Sequence, residues 1–392
     1  MKKLSALVLC ILTLAALFTG CASGTPAATT AAAATAATTA AASTTASSDA
    51  ADTQIIVDHA GFEVEVPLHI ERIAVCGIFP MPSVLSLFFN SADKLIAIPE
   101  PSMLAAKNGL LGQVYPEILK AETACVTGAA VNTEELLALE PDVVFYSASD
   151  TAIGESLRNA GFAAVAISVN KWDYDCIETL AQWIELLDRM FPEQGRAAAV
   201  RAKSEEAREF VQSRVAGLSD EERARIFVMF QYSETNLMTS GKKFFGQWWC
   251  DAIGAVNVAE ELENDNSTAV NLEQVYAWNP GVILVTNFTT AQPADILGSK
   301  IGEDDWSGIQ AVQDERVYKM PLGLYRSYTP GGDVPVTLYW MAKTVYPELF
   351  EDLDVTAKAK EYYSEVFGLE LTDEQIESIF TPSAEAGKVI LG

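Results

Sequence analysis

Val131-Asn132-Thr133-Glu134-Glu135-Leu136-Leu137-Ala138-Leu139-Glu140-Pro141-Asp142-Val143-Val144-Phe145-Tyr146 returns, 139 residues later, as Val270-Asn271-Leu272-Glu273-Gln274-Val275-Tyr276-Ala277-Trp278-Asn279-Pro280-Gly281-Val282-Ile283-Leu284-Val285. Val, Asn, Glu, Ala, Pro and Val stand at matching positions. Each copy reads as a short helix, a proline break and a buried strand. Asn132 and Asn271 suit the helix N-cap, and Glu135 and Gln274 follow three residues later, which is a capping-box arrangement. Glu134 and Glu273 are then not needed for the box. They could merely oppose the positive helix end, but one in each half at the same place favours a docking role. A unit of this kind occurring twice in one chain predicts two related α/β halves.

Outward from the repeat, the flanking sequence supports that reading. Residues 54–66 alternate as a hairpin turning at Gly61. Short β-rich runs at Ile73–Cys76, Leu95–Ile98, Cys125–Val126, Val143–Tyr146 and Ala163–Ile167 alternate with helical patterns such as Pro82–Phe89, as in a mostly parallel sheet. Further strands are expected at Ile226–Phe230, Gly281–Thr286 and Val317–Met320, with helices at Phe244–Ile253, Val334–Val345 and Leu371–Phe380. Between the halves lie two helices. The first runs from Tyr174 to Met190. The second is expected to open at Pro192, since proline tolerates a first helical turn. Its apolar stripe is Ala197, Val200, Ser204, Ala207, Val211, Val215 and Leu218. About 25 residues make a rod of roughly 35–40 Å, long enough to cross from one lobe to the other. The fold expected is α/β, two lobes of mostly parallel sheet with one long helix able to cross between them.

The N-terminus addresses the chain. Lys2 and Lys3 precede an apolar run, Leu4–Phe18, too short to span a bilayer comfortably but suited to a secretory signal. Leu17-Phe18-Thr19-Gly20-Cys21 resembles a bacterial lipobox, although Phe18 departs from the aliphatic residue usual there. An acylated Cys21 would hold the chain on a membrane. Residues 22–52 are nearly all Ala, Thr and Ser, a composition that cannot bury a core. The expected organisation is a signal peptide over 1–20, a lipidated tether over 21–52, an N-terminal lobe over 53–170, a helical segment over 171–222 and a C-terminal lobe over 223–392.

Composition excludes several classes of function. The chain has 392 residues, with 26 Lys and Arg against 53 Asp and Glu, for a formal charge of −27. Such acidity makes nucleic acid an improbable partner. Only two histidines occur, His59 and His69, both expected at the surface or in turns, so a site for a bare transition metal lacks ligands. Cys76, Cys125, Cys176 and Cys250 form no CxxC and sit in apolar stretches, which favours buried thiols over pairs. There is no G-x-S-x-G, no G-x-G-x-x-G and no Walker loop; Thr239-Ser240-Gly241-Lys242 lacks the upstream glycine. Enzyme activity is not expected. Nor is a structural surface domain, for want of a tandem array.

Asp58-His59-Ala60-Gly61, Val64-Glu65-Val66-Pro67 and Glu71-Arg72-Ile73, together with the two N-x-E…P-x-V units, resemble the iron-siderophore and cobalamin class of ABC-importer binding proteins. The likeness covers residues 54–385. It implies two Rossmann-like lobes joined by a single long, rigid interdomain helix; with the anchor and the missing catalytic motifs read above, the expectation is a lipid-anchored binding protein, not an enzyme, and a monomer. Its partners would be an ABC permease with its ATPase subunits and a small metal chelate held between the lobes. In that class each lobe offers one glutamate to arginines of the permease, which carries over onto Glu134 and Glu273.

Ligands of parallel α/β lobes bind at the carboxyl ends of the strands. That rule nominates Phe79, Met81 and Met103 in the first half, with Pro99–Met103 read as a loop. In the second half it nominates Tyr232, Asn287, Phe288, Tyr325, Arg326 and Tyr328, with Phe245 and Trp248 from the ring-rich segment Phe244–Trp249. Aromatic walls suit a bulky chelate, and the Arg326 fork suits a carboxylate or an anionic iron chelate. A ferric siderophore is expected first, with a corrinoid or heme as alternatives. No cofactor and no protein-bound metal are expected.

Overall fold

The computed structural model describes residues 52–127 and 130–388. The expected signal peptide, Cys21 and the tether up to residue 51 lie outside the described residues. Among the described residues no helix is long and apolar enough to cross a membrane.

The chain opens with the antiparallel hairpin Thr53–Val57 and Glu63–Pro67, Thr53 facing Pro67. Gly61 turns it at a φ of 87°, a left-handed conformation that glycine adopts without steric cost. The Asp58 carboxylate accepts from Ala60 N and Phe62 N at 2.9 Å, closing the turn, and from Ala166 N at 3.0 Å, which ties the hairpin to the first sheet. His59, expected at the surface or in a turn, lies in the hairpin's turn but is buried there. Its Nδ1 accepts from Ser168 N at 3.2 Å and its ring meets Trp172 edge-on. The docked hairpin covers it.

Four parallel strands form the first sheet, in the order Leu95–Ala97, Ile73–Cys76, Val143–Ser147 and Ala164–Ile167. The second sheet has parallel strands Arg225–Ser233, Val282–Val285, Val317–Lys319 and Val256–Asn257. Two antiparallel strands extend it, Asn236–Ser240 and Ser267–Ala269. Successive side chains point to opposite faces. Ile73, Val75, Phe145 and Val165 of the first sheet and Ile226, Val228 and Leu284 of the second therefore face one shared core. Alternate residues face two private ones: Ala74, Cys76 and Tyr146 in the first lobe, Phe227, Met229 and Ile283 in the second. The four cysteines of the folded part are buried and free.

The repeated unit folds alike in both halves. Asn132 caps the helix Thr133–Ala138 by accepting from Glu135 N, and Asn271 with Gln274 completes a capping box on Leu272–Trp278. The residue before each proline, Glu140 and Asn279, has a φ of 45° and 42°, which sets the corner into the strand. An arginine at the start of the neighbouring strand seals each helix end: Arg72 donates to Leu139 O at 2.5 Å, Arg225 to Trp278 O at 2.9 Å. In the first half the Asp142 carboxylate also accepts from Glu71 N and Arg72 N, at 2.7 and 2.8 Å.

The helix between the sheets is shorter than expected, Ala197–Val215 rather than a rod from Pro192. Gly195, at a φ of 58°, lies in the turn before it, and Asp188 of the preceding helix Cys176–Met190 accepts from Arg196 N and Ala197 N. The start is therefore fixed by a side chain nine residues upstream. Val200, Ser204, Ala207, Val211 and Val215 are buried as the stripe predicts. On the other face Arg201 pairs with Glu178 and Glu185. Behind Val334–Val345, the helix Val355–Phe367 was not anticipated, and Asp373–Phe380 follows it.

Candidate functional site

Several of the nominated residues follow the ends of strands, Phe79 after Ile73–Cys76, Asn287 and Phe288 after Val282–Val285, and Tyr325 to Tyr328 after Val317–Lys319. In the first lobe the chain leaves Cys76 through Gly77, at a φ of 75°, to Phe79. The carbonyl of Phe79 accepts from Ser102 Oγ at 2.7 Å and its ring is half-buried. Met81 and Met103 are buried in the shared core. The expected loop Pro99–Met103 is mostly helix: Glu100 begins a helix running to Asn108, with Pro101 in its first turn.

In the second lobe an aromatic shelf spans the strand ends. Phe230 stacks on Phe288 with ring centroids 4.9 Å apart, and Phe244 approaches Phe230 to 5.8 Å. Tyr328 lies beneath all three rings. It is fully buried, donating to Ser240 Oγ at 2.9 Å and accepting from Gly246 N at 3.1 Å, so it supports the shelf rather than lining it. Phe245 is buried against Tyr328 and Tyr174. Tyr174 comes from the segment that leaves the first sheet, and with Phe244, Trp248 and Gln247 it lines a cavity of about 450 Å³ at the end of the shelf. That size falls within the range of small-ligand pockets.

Arg326 closes the other end. It is fully buried, its φ is 29°, and its guanidinium lies 5.0 Å from the centroid of Phe288 and 5.5 Å from that of Tyr325. Nη2 donates to the carbonyls of Lys388 at 2.7 Å and Ala386 at 3.4 Å. Among the described residues Nε and Nη1 have no hydrogen-bond partner, nor does the Ser327 hydroxyl. The Tyr325 hydroxyl is likewise unpartnered, and an unpaired buried donor is costly. Burial raises the Tyr325 hydroxyl above its usual pKa, with the charge of Arg326 opposing it.

The loops behind Arg326 are fixed by long-range contacts. Asn287 donates from Nδ2 to Met320 O at 2.7 Å and Pro321 O at 2.9 Å. Lys319, buried, donates to Thr289 O and Ala291 O at 2.8 Å, and burial lowers its pKa to about 7. The Asp333 carboxylate accepts from Leu324 N at 2.9 Å and from the Tyr363 hydroxyl, and burial raises its pKa to about 6.

Tyr232 stands apart from this group. It lies in the second lobe's private core, donating to Asp304 at 2.8 Å and accepting from Trp306 Nε1. Glu134 and Glu273 are exposed at their helix starts. One turn later each helix exposes a large apolar residue, Leu137 and Tyr276, again at matching positions. Sequence reasoning missed Phe230, Phe244 and Tyr174. Phe230 was within reach, since alternation puts it on the same face as Ile226 and Val228.

Residues 95–322 match the model of the periplasmic binding protein family, more than half of the chain. The chain belongs to that family. Family membership places this periplasmic binding protein outside the cytoplasm, as the substrate-binding component of an ABC importer. The molybdate-binding protein MolA of Haemophilus influenzae is 26% identical over 336 residues, covering 80% of this chain and 91% of that protein. The structure of MolA bound to molybdate superposes with a TM-score of 0.68 at 23% identity, over 81% of this chain and 99% of that one. A periplasmic solute-binding protein of Veillonella parvula reaches 0.74 at 25% identity, over 84% and 97%. CeuE of Helicobacter pylori, in a nickel–histidine complex, reaches 0.65 at 19%, over 84% and 99%.

Proposed function

We propose that this binding protein captures an anionic metal complex, a ferric siderophore or a comparable iron chelate, on the aromatic shelf with Arg326 as its counter-charge. The observation that carries the reading is a buried guanidinium with two unpartnered nitrogens beside the stacked rings of Phe230 and Phe288. Flat rings favour a bulky organic chelate. The arginine fork favours its anionic oxygens. A corrinoid or heme is the alternative cargo on the same shelf. The second reading is a bare oxyanion such as molybdate, favoured by the same unpartnered nitrogens and by the similarity to MolA.

Around this site the proposal places a signal peptide over 1–20, a lipid on Cys21, a tether to residue 52 and lobes over 53–170 and 223–392. Glu134 and Glu273 would dock to cationic side chains of the permease.

Trp248 lines the cavity at the end of the shelf and serves as a reporter. Intrinsic fluorescence of residues 53–392 is titrated with ferric siderophores, cobalamin, heme and molybdate. Saturable quenching by a ferric siderophore is expected, weakened at least tenfold in Arg326→Gln. Saturation by molybdate with no response to any chelate would replace the first reading with the second. A cargo that binds equally well to Arg326→Gln would refute both.

A further inference from the structure

Past the helix Asp373–Phe380 the chain folds back onto the body of the protein. Ala384–Gly387 form one 3-10 turn in which Ala386 and Gly387 are buried. This turn packs on the helix Glu100–Asn108 of the first lobe. It also presses on the second lobe: a Cβ built on Gly387 would lie 2.0 Å from the carbonyl oxygen of Thr289. Its backbone then supplies Arg326 with acceptors, the carbonyls of Ala386 and Lys388. Residues 384–388 thus form a strap that touches both lobes and lies over the guanidinium.

The strap is a poor partner for that group. It engages one nitrogen of three and leaves Nε and Nη1 buried without acceptors. Neutral carbonyls also carry no charge to oppose that of the guanidinium and offer no bidentate fork, as an anionic group would. A contact built to be permanent would satisfy the donors it buries. We propose that residues 384–388 are a built-in competitor for Arg326, displaced by the cargo. The strap sets the affinity and rejects ligands that lack anionic oxygens. This inference rests on the reading that Arg326 meets the cargo.

Two variants test it, a chain ending at Pro382 and Gly387→Ala, whose new methyl has no room against Thr289. Each is titrated calorimetrically with sodium molybdate and with a ferric siderophore, beside the full chain and Arg326→Gln. If the strap covers the site nine-tenths of the time, its removal tightens binding about tenfold. Hydrogen exchange at 384–388 in the full chain should also rise on saturation. Unchanged or weaker binding in both variants, with Arg326→Gln still impaired, would overturn the strap and spare the cargo reading. Equal binding by Arg326→Gln and the full chain would remove the cargo reading and the strap with it. Binding of neither probe by any form counts against both. If the shortened chain does not fold, as judged by its thermal transition, Gly387→Ala and the exchange experiment decide.

Discussion

Acid should weaken this fold through a single histidine. His59 is buried under the hairpin, and burial lowers its pKa from 6.5 to about 4. Within that shift a backbone hydrogen bond at Gln182 acts the other way, and Lys171 and Arg189 add to the lowering by repelling a charged ring. A base with a depressed pKa contributes stability that is complete above its unfolded value and is lost as pH falls toward the folded one. The full loss is about 3 kcal/mol, since a tenfold change in proton affinity is worth about 1.4 kcal/mol. It is graded: roughly 1 kcal/mol is gone by pH 6 and roughly 2 kcal/mol by pH 5. His59→Gln cannot take up the proton and retains an acceptor for Ser168 N. Urea denaturation of both proteins at pH 7.5, 6, 5 and 4 gives the difference in stability at each pH, in which the other carboxylates cancel. The wild type should lose ground to the variant by these amounts. Parallel profiles would refute the assignment, as would a difference that opens only below pH 4.

Asp333 should act in the opposite direction. Its raised pKa contributes stability below about 3.8 that is lost as pH rises through about 6, some 3 kcal/mol in all, so Asp333→Asn should lose less stability than the wild type between pH 4 and 7 in the same denaturation series. Asp142→Ala removes the acceptor of two backbone N–H groups and should cost about 2 kcal/mol by chemical denaturation, with the cargo affinity unchanged. Glu134→Ala combined with Glu273→Ala should reduce importer-dependent uptake to background while affinity stays within about twofold; an equal loss of affinity would place the pair in the site or the fold.

What was legible in the sequence was local. Asn caps, a glycine turn and period-2 alternation act over a few residues, so the hairpin, the repeated unit and the strands could be read directly. The start of the helix Ala197–Val215 could not, because its cap is Asp188 on the preceding helix. The burial of His59 in its turn was illegible for the same reason: it depends on contacts with Ser168 and Trp172, more than a hundred residues away. At the site, the strand-end rule nominated Phe288 and Arg326 from their place in the chain alone. It had no means to separate Tyr328, which supports the shelf, from Phe230, which forms it. Nor could it foresee that Lys388 meets Arg326, a contact between residues 62 apart in sequence.

The shared core has a consequence for how such a protein could be recognised. Ile73 and Val75 on one side and Ile226 and Val228 on the other face a single interior. The inward face of either sheet is therefore not a surface in its own right. A lobe cut away from its neighbour would expose half a core, so the two should unfold together. The same packing fixes the span between the helix starts that carry Glu134 and Glu273. If Glu134 and Glu273 dock as proposed, that span acts as a ruler and not a pair of calipers, and a partner is expected to meet nearly the same length in the loaded and the empty protein.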